Sequence, residues 1–303
     1  KMKKLIQSRT SVPFYVGFNP EFLREGSAVS DFMQPSRTII GCEDQIVAQI
    51  TRDLYQSFIS EKSPFIITDI LSAEMIKYAA NAMLAARISF MNDMAVLCEK
   101  LGADVEQIKL GIGLDDRIGS KFLNPGIGIG GSCFPKDVKS LIYTGEEKGE
   151  NLPILRAIIE INSRMPLLFV DKIKAHFHGD LTNKTFALWG LAYKANTDDM
   201  REAPSIIIAH ELCKAGARCV AFDPASINNA KLVMDSRVLY TQNAYEACLD
   251  ADALLVLTEW KEFHDPDWTK LKTLLREPLI FDGRNIYNPE QMRKFGFKYY
   301  SKG

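Results

Sequence analysis

The run Asn124-Pro-Gly-Ile-Gly-Ile-Gly-Gly-Ser-Cys-Phe-Pro-Lys-Asp137 gives Cys133 the surroundings of a covalent nucleophile. Four glycines before the thiol let the backbone approach a ligand closely and take positive φ. Pro135, two residues on, suits the first turn of a helix, so Cys133 is expected at or just before a helix N-terminus. Lys136 and Asp137 follow within four positions. The helix dipole and a nearby ammonium stabilise a thiolate in that setting, and a thiolate is the form that adds to a carbonyl. Isolated cysteines are more often buried and inert; the Gly-Gly-Ser-Cys-Phe-Pro-Lys-Asp context reverses that expectation. The spacing Gly126-x-Gly128-x-x-Gly131 matches a dinucleotide fingerprint formally. However, Asn-Pro precedes it and Ser-Cys-Phe-Pro follows, where a fingerprint needs a strand before and a helix after. These glycines read as a close-approach loop for a ligand.

Other segments carry candidate groups. Glu21 and Glu25 in Asn19-Pro-Glu-Phe-Leu-Arg-Glu-Gly26 directly follow a candidate strand, either at the ligand-binding carboxyl edge of a sheet or in a solvated first helical turn. Lys77 and Asn81 are spaced i, i+4 and share one face of a long apolar helix. That face is either functional or the solvent stripe, since a buried lysine loses its charge or finds an anion. Tyr193-Lys-Ala-Asn-Thr-Asp-Asp-Met-Arg-Glu-Ala-Pro-Ser205, with Arg201, and Arg284 in Phe281-Asp-Gly-Arg284 each follow a strand, placed for phosphate or carboxylate recognition. A solvated acidic loop is the alternative for the first. Arg117, in Asp115-Asp-Arg-Ile-Gly-Ser-Lys121, reads by itself as surface charge.

The elements that must position these groups form two alternating series around a helical centre. Strands are expected at Phe14–Phe18, Arg37–Gly41 and Pro64–Thr68, with a helix over Asp44–Ile59, as in a parallel, helix-covered sheet with too few strands to complete it. A long helix from Ser72 to about Lys100, capped by Ser72 and stopped at Gly102, should be mostly buried. Helices follow at Val105–Leu110, Asp137–Lys148 and Leu155–Ala175, the last bent or interrupted at Pro166. Strands at Phe186–Trp189, Arg218–Phe222, Ala253–Leu257 and Leu279–Phe281, with helices at Pro204–Ala215, Ala244–Leu249 and Trp268–Leu275, make a second doubly wound unit. The fold class is therefore α/β: a partial Rossmann-like unit over 1–70, a central long-helix region with the cysteine loop over 71–180, and a doubly wound Rossmann-like domain over 181–303.

With 303 residues, 47% hydrophobic and 25% charged, the chain is long enough for two domains or more. A net charge of -1 gives no reason to expect nucleic acid or an anionic membrane as partner. Six cysteines (42, 98, 133, 213, 219, 248) form no Cys-x-x-Cys pair and no metal spacing with the four histidines, so they read as reduced cytoplasmic thiols. No apolar run reaches membrane-span length and no secretory signal is present. Lys1 opens directly into structured sequence, which reads as an internal start.

Together, Asn-Pro-Glu-Phe-Leu-Arg-Glu-Gly, Gly-Gly-Ser-Cys-Phe-Pro-Lys-Asp and Asn-Thr-Asp-Asp-Met-Arg-Glu-Ala-Pro-Ser resemble the nucleotide-sugar 6-dehydrogenase family in order and approximate spacing, over nearly the whole chain. Arg117-Ile-Gly-Ser-Lys-Phe-Leu123 is similar to the UDP-glucose branch, whereas the GDP-mannose branch typically has leucine where Phe134 stands. The resemblance implies four-electron oxidation of UDP-glucose to the uronate by two NAD+ in succession. Cys133 would capture the aldehyde as a thiohemiacetal that becomes a thioester. Glu21 would activate the hydrolytic water, Lys77 and Asn81 would stabilise the oxyanion, and Asp137 would work with them through water. Substrate contacts would come from Phe22, Leu23, Arg24, Phe122, Gly130 and Arg284, cofactor contacts from Glu25 and Arg201. Arg117 would reach a neighbouring subunit's site, implying at least a homodimer built on the long helix. The family's Gly-x-Gly-x-x-Gly turn and a threonine near the substrate are not in these residues, so the chain is expected to enter the family's sequence late in the NAD-binding domain. Two further readings are a GDP-mannose 6-dehydrogenase and a nucleotide-sugar-binding module without activity. A thiol redox sensor would need a resolving cysteine near Cys133.

Overall fold

The computed structural model describes residues 2–60 and 63–303, in two compact units, Lys1–Ala80 and Asn81–Gly303. Unit 1 contains α1 (Met2–Gln7), β1 (Gly17–Phe18), α2 (Ala28–Met33), β2 (Thr38–Cys42), α3 (Gln45–Tyr55) and β3 (Phe65–Thr68). β2 and β3 are parallel, with Thr38 opposite Phe65, and α3 connects them. Alternating strands and helices predict a wholly parallel sheet, but β1 pairs antiparallel with β2. The connection between these strands lays no helix across the sheet, since α2 has six residues and buries none of them. The first strand is also shorter than Phe14–Phe18, ending as a two-residue pairing.

The boundary between the units falls within α4 (Ile70–Leu101). Its first turn is capped by Asp69, whose Oδ1 accepts the Ser72 N–H at 2.8 Å. Ser72 is therefore the third helical residue and not the cap, because a carboxylate one turn back reaches that free amide. Gly102, at φ +74°, ends the helix as expected. Burial is less complete than its composition predicts: Met83, Phe90 and Leu97, seven residues apart, stay exposed.

Unit 2 continues with α5 (Val105–Gly113), α6 (Phe134–Glu147) and α7 (Pro153–His176). α7 runs through Pro166 as one element, so of the two expected outcomes, a bend or an interruption, the interruption does not occur. Next come β4 (Thr185–Trp189), α8 (Pro204–Lys214), β5 (Arg218–Phe222), α9 (Ile227–Val233), β6 (Leu239–Tyr240), α10 (Ala244–Ala247), β7 (Ala253–Val256), α11 (Trp268–Leu274), β8 (Leu279–Asp282), α12 (Pro289–Lys294) and β9 (Lys298–Tyr300). All the strands are parallel, in the order β6-β5-β4-β7-β8-β9. This is the order of doubly wound dinucleotide folds, whose ligands sit outside the carboxyl ends of the strands.

Side-chain alternation divides the core. Phe186, Leu188, Leu255 and Phe281 face one hydrophobic layer with α7 and α8, while Ala187, Trp189, Leu254, Val256 and Ile280 face another with α11 and α12. The inner strands β4, β7 and β8 are buried on both faces, which accounts for their continuous apolar sequences.

The carboxyl-edge loops are tied down by a buried carboxylate after β5. Asp223 accepts the N–H groups of Leu191 (2.7 Å), Ala192 (3.2 Å), Ala225 (2.9 Å) and Ser226 (2.8 Å), and Nε1–H of Trp260 (3.1 Å).

The C-terminal segment buries a cation. Lys302 is 1% exposed, with Glu99 Oε1 4.0 Å from its Nζ. Burial, assisted by Lys172 and Arg164, pulls its pKa down to about 8 despite Glu99. The unfolded chain, titrating near 10.5, binds the extra proton between those two values. The cost is thus fully present below pH 8 and relieved as pH rises towards 10.5. Glu99 keeps Lys172 Nζ at 2.6 Å and the Gly303 N–H at 3.0 Å. Lys302→Met is therefore expected to stabilise the protein at pH 7 by about 1–3 kcal/mol, with the gain shrinking above pH 8. Urea denaturation of both proteins at pH 7 and 9.5 measures this, and a variant less stable than the parent at pH 7 contradicts it.

Candidate functional site

Cys133 is the N-cap of α6, as its sequence predicts, with φ −92° and ψ −63°. It is exposed, its side chain caps nothing, and Ser132 Oγ lies 3.6 Å from Sγ. The thiol is thus presented and not packed. One turn on, Asp137 donates its N–H to the Cys133 carbonyl at 2.9 Å. The Asp137 carboxylate is 2% exposed. It accepts Asn81 Nδ2–H at 2.6 Å on one oxygen and Lys136 Nζ–H at 2.6 Å on the other. Asn81, on α4, therefore meets α6 through a buried hydrogen bond, which decides against a solvent stripe at that position.

The glycine loop lies against the carboxyl edge of the six-stranded sheet. A Cβ on Gly130 would come within 2.7 Å of the Glu202 carbonyl and of Tyr193 Cβ; on Gly131, 2.8 Å from the Tyr193 ring. Only glycine permits this approach. Gly131, at φ +81°, donates its N–H to the Arg201 carbonyl at 2.7 Å. Arg284 ties three loops at this edge. Its Nε–H donates to the Leu257 carbonyl (2.7 Å) and its Nη2–H to the Tyr193 carbonyl (3.0 Å), with Glu259 Oε2 3.4 Å from Nε. A Cβ on Gly126 would stand 3.5 Å from Arg284 Nη1. Phe122, its ring 6.3 Å from that of Phe134, takes φ +60°, a strained conformation for an aromatic residue. Cys133, Asp137, Asn81, Gly130, Phe122 and Arg284 thus all belong to unit 2, as do Arg201 and Arg117. The guanidinium of Arg201 pairs with Asp199 (2.9 Å) and that of the exposed Arg117 with Asp115 (2.6 Å).

In unit 1, Lys77 Nζ–H donates to Glu21 Oε1 at 3.1 Å, and Glu21 Oε2 accepts the Leu23 N–H at 2.6 Å. The Phe22 ring has the Arg37 guanidinium 3.8 Å from its centroid and Lys77 Nζ at 5.5 Å, within cation–π range. Arg24 is bound to Asp31 through Nε (3.0 Å) and Nη2 (2.5 Å), and this partner holds the Asp31 carboxyl well below the usual range. Leu23 is exposed and Glu25 half-buried in the same turn.

Sequence reasoning missed the residues that hold the glycine loop. Asn92 of α4 accepts the Gly126 N–H at 2.8 Å, and Asn162 of α7 bonds both backbone groups of Ile129. Tyr193 and Glu202 form the floor under the glycines. The available signal was an amide interrupting an apolar helix face, the same signal that singled out Asn81.

The described residues of unit 1 fit one flank of a dinucleotide site. Parallel β2 and β3 present a carboxyl edge, where Cys42, Asp44, Arg52 and Thr68 line a cavity of about 520 Å³. A glycine turn for the diphosphate is not among these residues: Gly26 is the only positive-φ glycine there, and it does not join a strand to a helix of useful length.

Comparisons with known proteins agree along the chain. Residues 1–59, 71–164 and 187–289 match, respectively, the NAD binding, central and UDP binding domains of the UDP-glucose/GDP-mannose dehydrogenase family. The UDP-glucose 6-dehydrogenase of Rickettsia felis is 44% identical over 291 residues, covering 96% of this chain and 65% of that protein. The UDP-glucose 6-dehydrogenase TuaD of Bacillus subtilis is 44% identical over 306 residues, covering 99% and 66%. A UDP-glucose dehydrogenase structure from Pyrobaculum islandicum superposes with TM-score 0.88 at 32% identity, covering 100% of this chain and 66% of that one. The chain spans about two thirds of the length of the curated relatives it matches.

Proposed function

This chain belongs to the UDP-glucose/GDP-mannose dehydrogenase family, and we propose that it acts in the NAD-dependent oxidation of UDP-glucose to UDP-glucuronate, with Cys133 as the covalent nucleophile. The observation that carries this reading is the exposed, uncapped thiol at the start of α6, one turn from the buried Asp137–Asn81 pair and beside a glycine loop held flat against Tyr193 and Glu202 at the carboxyl edge of the sheet. NAD+, when bound, supplies the hydride acceptor for both oxidations. The Cys133 thiolate adds to the C6 aldehyde carbon, whose oxygen takes the electron pair and then a proton. Loss of hydride from the thiohemiacetal carbon, with its hydroxyl proton passing to water, leaves a thioester. Water then adds to that carbonyl and the thiolate departs, giving the carboxylate. Asn81 and Lys77 donate hydrogen bonds to the oxyanion, Asp137 orients Asn81 and relays protons through water, and Glu21 takes the proton of the attacking water.

Substrate contacts come from Phe22, Leu23, Arg24, Phe122, Gly130 and Arg284, cofactor contacts from Glu25 and Arg201. The domain division is 1–70, 71–180 and 181–303. The protein works in the cytoplasm as at least a homodimer, in which Arg117 reaches a neighbouring site. The exposed Met83, Phe90 and Leu97 at heptad spacing on α4 support helix pairing between copies.

Alkylation of the thiol tests the assignment. Iodoacetamide should label Cys133 faster than the other cysteines. UDP-glucose should slow that labelling about tenfold at concentrations where GDP-mannose does nothing. Protection by GDP-mannose and not by UDP-glucose would overturn the substrate, and a Cys133 indifferent to both would overturn the site.

A further inference from the structure

We infer that Asn162 is a positioning residue for the cysteine loop, acting through a two-point clamp on Ile129. Its Oδ1 accepts the Ile129 N–H at 2.6 Å and its Nδ2–H donates to the Ile129 carbonyl at 3.0 Å. A side-chain amide that pairs with both groups of one residue fixes that backbone as a neighbouring β-strand would. The loop needs such a partner. Gly128 (φ +124°) and Gly131 (φ +81°) flank Ile129 and Gly130, so the backbone on both sides has access to conformations that other residues lack.

Packing alone does not hold this stretch from behind. A cavity of about 120 Å³ opens there, lined by Gly128, Ile129, Asn162 and Pro166, with Lys139 and Glu202 at 2.8 Å from each other. A released Ile129 has room to move into it.

α7 is specialised at this point. Pro166 has no N–H, so the Asn162 carbonyl four residues earlier lacks its helical donor. A Cβ on Gly128 would stand 3.4 Å from Asn162 Oδ1 and 3.5 Å from the Asn162 carbonyl oxygen, so both face the loop. One residue thus turns its amide and its main chain towards the glycines. On the other side, Gly130 and Gly131 rest on Tyr193, Arg201 and Glu202. The clamp presses the loop onto this floor and sets the path that reaches Cys133 four residues later. The proposal deepens, and rests on, the reading of this loop as the substrate's seat.

Amide exchange and thiol protection test it together. Asn162→Leu should speed exchange of the Ile129 amide about tenfold or more, while amides late in α7, such as Val170, keep their parent rates. The UDP-glucose concentration that protects Cys133 from iodoacetamide should rise about tenfold, with the rate of the unliganded thiol changed less than about twofold. Should the leucine variant not fold, Asn162→Asp keeps the shape and the bond from the Ile129 N–H but opposes the Ile129 carbonyl. It should still need several times more UDP-glucose. Unchanged exchange at Ile129 in the leucine variant, or parent-like protection in whichever variant folds, overturns the clamp. If UDP-glucose fails to protect even the parent, the substrate reading falls, and exchange at Ile129 by itself decides the role of Asn162.

Discussion

Replacing Cys133 with alanine should lower UDP-glucuronate formation by on the order of a thousandfold or more, the usual scale for loss of a covalent nucleophile, and leave UDP-glucose binding within about twofold. The thiol makes no capping bond and is exposed, so its removal costs α6 little. The backbone bond from Asp137 N–H to the residue-133 carbonyl (2.9 Å) survives any side-chain change. What disappears, in the proposed mechanism, is the atom that holds the aldehyde for its second oxidation. The parent should reduce two NAD+ per UDP-glucose consumed, whereas the variant should stall at the aldehyde, which hydroxylamine can trap. Acid formation at the parental rate in the alanine variant would end the covalent reading. Loss of UDP-glucose binding together with activity would mean that Cys133 shapes the pocket and does not act on the substrate.

That prediction rests on residues the sequence made conspicuous. Glycines, a proline and a cysteine within ten positions constrain backbone and chemistry locally, so Cys133 could be placed at the start of a helix, although α6 begins at Phe134, three residues before the expected Asp137. The inner strands β4, β7 and β8 were equally plain, since burial on both faces forces apolar runs. Edge elements were not. β6 and β9 have two and three residues, too few for a period to register. The antiparallel β1–β2 pairing depends on how a long connection folds back, which no local pattern encodes. Asn162 stood out only as an amide on an apolar helix face, and its role as a clamp was not legible: its partner is the backbone of Ile129, 33 positions away, and a backbone carries no residue type to notice. Ser72 illustrates competition between caps, where Asp69 reached the free amide first.

Asp223→Ala is expected to destabilise unit 2 by about 3–5 kcal/mol, a large share of the roughly 5–15 kcal/mol that holds a domain folded. The carboxylate is 1% exposed and gathers five donors: four backbone N–H groups and the Trp260 indole. Alanine leaves them facing a cavity that water can fill only in part. Asn is not a rescue. Its single carbonyl oxygen replaces two acceptor atoms, and its NH2 would point at donors, so Asp223→Asn should lose at least about 2 kcal/mol. The consequence reaches the site, because Leu191 and Ala192 lead into Tyr193, whose ring and Cβ form the floor beneath Gly130 and Gly131. At temperatures where the asparagine variant remains folded, UDP-glucose should therefore protect Cys133 less well, and the Trp260 indole N–H resonance should shift and exchange faster. Urea denaturation gives the stability change, and the resonance reports the local one. Stability within about 0.5 kcal/mol of the parent would mean that the loops after β4 and β5 hold themselves. Retained stability with impaired protection would instead make Asp223 a determinant of the glycine floor alone.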